Sequence, residues 1–116
     1  MTQTEWEKLH QEEQNLIKQE EAITKETREI KQVKDMYDNH FRNSHRVMDQ
    51  LRYLFHKNDE RIFYETTMSE FARESKKIMN HVDEGERELK SQYRTIKNKL
   101  SNVASEKRKA SLAEKE

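Results

Sequence analysis

The chain contains no proline and a single glycine, Gly85, in 116 residues. Turns in β-rich and loop-rich proteins depend on these two residue types: glycine enters positive φ without strain, and proline presets the first φ of the turn. A chain so short of both reverses direction rarely, which predicts an all-α protein built from few, long helices. The length agrees with one domain. Leu, Ile, Val and Phe together number 21, close to the level at which chains stay disordered, but the 23 basic and 23 acidic residues cancel, whereas disorder also calls for high net charge. Two long helices bury one narrow seam rather than a globular interior, so a partner or self-association is expected on physical grounds.

Apolar residues recur every seven positions in both halves. The first half carries the ladder Leu9, Leu16, Ile23, Ile30, Tyr37, Ser44, Leu51, and the second half Met68, Ser75, Val82, Leu89, Ile96, Val103, Ala110. Sustained seven-residue spacing argues for coiled-coil-like helices rather than strands. In the first half a second stripe is expected three residues on, polar at Glu12, Gln19 and Glu26 and apolar later at Val33, Val47 and Leu54; Phe41, Met48 and Phe55 mark the opposite flank. Companions in the second half are Tyr64, Phe71 and Ile78, then Tyr93 and Leu100. Thr2-x-x-Glu5 and Thr4-x-x-Glu7 each fit a capping box at the start.

The run His56-Lys57-Asn58-Asp59-Glu60 at the midpoint is the best candidate for a turn, with cations suited to a helix C-terminus and Asn58 or Asp59 to an N-cap. The expected fold is therefore a long antiparallel two-helix hairpin: one arm over about 4–56, an apex at about 57–59, a second arm over about 60–110, and a polar tail from Ser105 that frays. Gly85 marks a possible break; if it ends a helix, the fold becomes a three-helix bundle. A weaker point lies at Asp38–His45, where Asn and Ser compete for backbone hydrogen bonds. Charge supports the hairpin: residues 1–30 hold 4 basic and 8 acidic groups, residues 91–116 hold 7 and 3. Folding at the midpoint lays an acidic arm beside a basic one, which sets orientation and register. An antiparallel dimer of unbroken helices would satisfy the same rule.

Signals for chemistry are weak. The five histidines (10, 40, 45, 56 and 81) show no i,i+4 pair and cysteine is absent, so no metal site is expected. Glycine is too scarce for a phosphate loop, and a rod offers no cleft to perturb its carboxylates, so neither catalysis nor a cofactor is expected. The basic cluster Lys107-Arg108-Lys109 stands in a neutral chain with acids close by, which argues against nucleic acid. No long apolar run is present, so no membrane insertion is expected, and the N-terminal residues lack the basic start and apolar stretch of a secretory signal. The informative feature is aromatic. Seven of the nine aromatic residues fall in the central third: Tyr37, Phe41, Tyr53, Phe55, Phe63, Tyr64 and Phe71. One hairpin cannot bury side chains on several faces, so these residues, together with the isolated Trp6, are the candidate partner interface. The candidate hairpin seam is Leu9, Leu16, Ile23, Ile30, Leu51, Met68, Val82, Leu89, Ile96 and Val103.

The segments FHKNDERIFYE (Phe55 to Glu65) and EGERELKSQYRTIKNKL (Glu84 to Leu100), within a highly charged chain with an aromatic apex, resemble the small α-helical accessory proteins encoded beside LXG toxins of the Gram-positive type VII secretion system. The resemblance implies a non-enzymatic targeting factor or chaperone. It would bind the helical N-terminal domain of a cognate LXG toxin, with a second small helical protein, and make the toxin competent for export. The expected location is the cytoplasm, with co-export beside the toxin as a variant. No Trp-x-Gly stands at the turn, which separates the chain from the WXG-type secreted hairpins. The alternative reading is a structural, homo-oligomeric coiled-coil protein.

Overall fold

The computed structural model describes residues 4–55 and 60–115. The fold is a helical hairpin of two long helices, α1 (Glu5–Phe55) and α2 (Arg61–Lys115). Among the described residues only Thr4 and Glu60 are not helical. Each of them starts a helix. Thr4 accepts a hydrogen bond at its side-chain oxygen from the Glu7 amide (3.2 Å), the hydroxyl half of the expected Thr4-x-x-Glu7 box, and its carbonyl accepts from Lys8 (3.2 Å); Thr2, of the other expected box, lies outside the described residues. The Glu60 carbonyl accepts from the Tyr64 amide (2.9 Å), the first bond of α2. The expected turn residues His56, Lys57, Asn58 and Asp59 lie outside the described residues.

α1 runs without interruption through Asp38–His45, as the continuous arm requires. α2 runs without interruption through Gly85, so the two-helix hairpin holds and the three-helix alternative does not. One local expectation is revised. The helix also continues through the tail expected to fray, as far as Lys115, because the ladder does: Val103 and Ala110 are both buried.

The chain divides into two compact units. One, the terminal unit, comprises Met1–Arg28 and Arg87–Glu116; the other, the central unit, comprises Glu29–Glu86. They differ in depth. Among the described residues, every buried one belongs to the terminal unit: Leu9, Leu16 and Ile23 from α1, and Leu89, Ile96, Val103 and Ala110 from α2. These are ladder positions, and removing each such side chain from water is worth about 1.5–3 kcal/mol for a Leu, Ile or Val. In the central unit the same ladders are only half-buried at Ile30, Ser44, Met68, Ser75 and Val82, and Tyr37 and Leu51 are partly exposed. Both polar ladder members, Ser44 and Ser75, fall in this unit, and the Ser75 hydroxyl is buried without a hydrogen-bond partner.

Gly85 is accounted for by a close approach. The backbone there has no positive φ to demand glycine. A Cβ placed on it would come within 2.8 Å of Ile30 Cδ1. Replacing Gly85 by Ala raises helix propensity by about 1 kcal/mol but forces that methyl to swing aside, at roughly 0.5–1.5 kcal/mol if the rotamer is strained. Gly85→Ala is therefore expected to stabilise the chain more in an Ile30→Val background, which lacks the methyl, than in the wild type. Urea denaturation of the four proteins in the cycle checks this; strictly additive effects would show that the two positions do not meet. Ser75→Ala removes the unsatisfied hydroxyl and is expected to raise stability by about 0.5–1.5 kcal/mol in the same assay.

Candidate partner interface

Each ladder on α1 has two neighbouring stripes, and the structure shows which one faces α2. Trp6, Glu13, Glu20, Thr27, Lys34, Phe41, Met48 and Phe55 are spaced seven apart, and all of them are half-buried. Glu12, Gln19, Glu26, Val33, His40, Val47 and Leu54 form the stripe on the other side of the ladder, and all of them are exposed. Of the two flanks that the sequence marks, the seam takes that of Phe41, Met48 and Phe55 and leaves that of Val33, Val47 and Leu54 outside. The reason lies on α2, whose side chains complement the charged and aromatic positions of the chosen flank.

In the terminal unit that complement is charge. Lys107 Nζ lies 3.1 Å from Glu13 Oε1 and 2.8 Å from His10 Nδ1, and Lys97 Nζ lies 3.0 Å from Glu20 Oε1. Thr27 has no charged partner to meet; its hydroxyl donates to the Ile23 carbonyl at 2.8 Å. In the central unit Lys34 Nζ lies 3.1 Å from Asp83 Oδ1 and 3.7 Å from Glu86 Oε1. The hydrogen bond and charge of Asp83, then the charge of Glu86, raise the Lys34 pKa above the usual lysine value; Glu20, by hydrogen bond and charge, does the same for Lys97. The more exposed of these pairs add little stability singly. Their consequence is register, since each charged stripe position meets opposite charge on α2.

Further along the central unit the complement is aromatic. Phe41 meets Phe71 edge-on at 6.0 Å and stacks with Tyr37 at 5.7 Å. Phe55 stacks on Tyr64 at 5.7 Å, and the Tyr64 hydroxyl donates to the Met48 carbonyl. Of the eight aromatic residues proposed for a partner, four (Phe41, Phe55, Tyr64 and Phe71) are therefore engaged within the hairpin and half-buried. Tyr37 sits at the edge of the seam. Trp6 belongs to the hairpin as well: it stacks on His10 at 5.0 Å, lies under Lys107 Nζ at 4.7 Å and packs on the Leu9–Leu16–Val103–Ala110 cluster. Tyr53 and Phe63, 85% and 74% exposed, project outward.

The seam residues fall in two classes. Leu9, Leu16, Ile23, Leu89, Ile96 and Val103 are buried, with Ala110 completing the set; Ile30, Met68 and Val82 are half-buried, and Leu51 is partly exposed. Aliphatic residues that an aromatic count passes over also reach the surface: Met36, Val47, Leu54 and Ile62, with Val33 and Ile78 at its margin. The signal for them was present, because Val33, Val47 and Leu54 already stood out as a stripe. Among the described residues no cluster of His, Asp and Glu is arranged to hold a metal ion, and no helix is long and apolar enough to cross a membrane.

The Trp6–Lys107 contact joins the two ends of the chain. Lys107→Ala is expected to cost about 1 kcal/mol through loss of the cation–π contact and of the partner of half-buried Glu13. Trp6 is the chain's one tryptophan, so acrylamide quenching of its fluorescence reports the local change: quenching should rise in the variant, and an unchanged value would mean the lysine does not cover the ring.

The sequence model of one protein family, described as "Protein of unknown function (DUF3958)", matches residues 4–110. No curated protein and no solved structure matches the chain. Because the match spans nearly the whole hairpin, the chain belongs to the DUF3958 family.

Proposed function

We propose that this DUF3958 protein is a non-enzymatic helical adaptor that binds the helical N-terminal domain of an LXG toxin and targets it for type VII secretion. The observation that carries an adaptor role is the distribution of apolar surface. Of the twelve large apolar residues exposed among the described residues, ten belong to the central unit Glu29–Glu86. A chain with 40% charged residues has ample means to keep that surface polar. Apolar exposure concentrated in one part of a chain marks interaction sites, and its aromatic members Tyr53 and Phe63 are the type that anchors protein interfaces.

The identity of the partner rests on the resemblance of Phe55–Glu65 and Glu84–Leu100 to the accessory proteins of LXG toxins. In this reading the adaptor acts in the cytoplasm, and a second small helical protein joins the complex. The mechanism is burial: toxin helices cover Tyr53, Phe63 and the exposed flank of the α1 ladder, extending the hairpin into a heteromeric bundle. Co-expression with the N-terminal domain of the adjacent toxin, followed by size exclusion, tests it. Co-elution is expected, and a Tyr53→Ser/Phe63→Ser variant should bind about tenfold or more weakly with unchanged helix content, since neither side chain supports the hairpin. Separate elution of the two wild-type proteins at micromolar concentration would sink the reading.

A further inference from the structure

The exposed flank of α1 has a property that apolar exposure alone does not explain. Together with the outer edge of the ladder it makes a second heptad seam: Val33, Tyr37, His40, Ser44, Val47, Leu51, Leu54, spaced 4-3-4-3-4-3. This is the spacing by which a helix packs knobs into the holes of another helix. It runs ~32 Å along α1 at 1.5 Å per residue. The helix face that borders it on the side away from α2 is poor in charge: Met36, Asn43 and Gln50 occupy its seven-residue stripe, in a chain where 40% of residues are charged. Depletion of charge beside an apolar core is the compositional mark of a protein interface.

The order of residues along this seam identifies an occupant. Antiparallel pairing with a second copy, centred on Arg42, sets Val33 against Leu51, Tyr37 against Val47 and His40 against Ser44, and the two-fold axis repeats each layer. Apolar residues meet apolar ones, and the two polar positions meet each other in the middle, where the Ser44 hydroxyl and the His40 ring are able to share a hydrogen bond. Sliding the second copy by one heptad sets Tyr37 on Leu54, His40 on Leu51 and Ser44 on Val47, which leaves two polar groups facing aliphatic side chains. A matched polar layer of this kind is how coiled coils select one register. The uncharged stripe of Met36, Asn43 and Gln50 lets the two copies approach without like charges opposed.

We infer that the exposed face of α1 from Val33 to Leu54 is covered by the same face of a second copy of this chain, in an antiparallel, two-fold arrangement. A face that is complementary to itself closes after two copies, so the product is a dimer rather than a filament. The inference does not depend on the toxin reading, because its test uses this chain alone. In the presence of a toxin the dimer and the complex would compete for the same flank.

Sedimentation equilibrium of the full chain is expected to show a dimer at micromolar concentration. Val47, 54% exposed in the hairpin, tolerates a charge there but not in the dimer. Val47→Glu should therefore raise the dimer dissociation constant about a hundredfold, with one buried charge per copy, while circular dichroism shows the helix content unchanged. Register is read by oxidation: chains carrying His40→Cys mixed with chains carrying Ser44→Cys should cross-link faster than either does with itself. A chain that remains monomeric overturns the inference, as does a dimer indifferent to Val47→Glu or a preference for His40→Cys homodisulfides. A monomeric chain in which Val47→Glu instead abolishes toxin binding would assign the face to a partner helix, and that too overturns it.

Discussion

A heptad ladder on a helix has two neighbouring stripes, and a two-helix hairpin can turn only one of them toward the other arm. Most of this structure follows from that choice on α1. The chosen flank, Trp6 to Phe55 in steps of seven, is not the more aliphatic of the two. It is the one whose members find partners on α2: Glu13 with Lys107, Glu20 with Lys97, Lys34 with Asp83 and Glu86, and Phe41 with Phe71. An uncompensated charge at the seam would cost more than an aliphatic side chain left at the surface, because burying an unpaired ion is penalised far more heavily than exposing a valine. The flank with Val33, Val47 and Leu54 is therefore the one that remains outside.

Depth follows from the ladders and detail from the flank. In the terminal unit the Leu, Ile, Val and Ala ladder members are buried, and the ammonium groups of Lys107 and Lys97 meet Glu13 and Glu20 beside them. In the central unit, Ser44 and Ser75 replace apolar knobs, and large rings take up the space between the arms. The ladder residues Tyr37 and Leu51 of this unit stay partly in solvent. At Gly85 and Ile30 the opposite occurs: the absence of a side chain lets an isoleucine methyl rest close to the α2 backbone.

Much of this was legible in the residues. Seven-residue steps on both arms, no proline, opposite charge at the chain's ends and a turn signal at the midpoint pointed to a hairpin, and the buried seam of the terminal unit consists of ladder residues that the spacing itself picks out. The choice of flank was not legible from α1 alone. Glu12, Gln19 and Glu26 are as polar as Glu13, Glu20 and Thr27, and only the position of lysines on α2 separates them. The aromatic cluster was legible as a group but not by direction: Phe63 and Tyr64 are adjacent, yet Tyr64 reaches back to the Met48 carbonyl while Phe63 faces solvent. A helix places consecutive residues about 100° apart, so one residue of phase decides between core and surface. Gly85 suggested a break because mid-helix glycine is costly in isolation. The close approach of Ile30, a long-range contact, accounts for its presence.

The stripe left outside bears on how such a hairpin can act. A surface that merely needed to be soluble would carry charges at Val33, Val47 and Leu54, as the same stripe does at Glu12 and Glu26. Keeping it apolar only where the core is shallow places the exposed surface on the part of α1 whose own packing gives up least if a third helix shifts it. Adaptors need that combination. The buried ladder of the terminal unit holds the arms together regardless of what is bound, and the half-buried ladder of the central unit offers side chains such as Tyr37 and Leu51 that are still partly exposed. A helix arriving at Val47 and Leu54 would complete the burial of ladder residues that the hairpin has only begun. Its affinity would then come partly from finishing an existing core rather than building a separate interface, which limits the ordering cost of binding to the arriving helix.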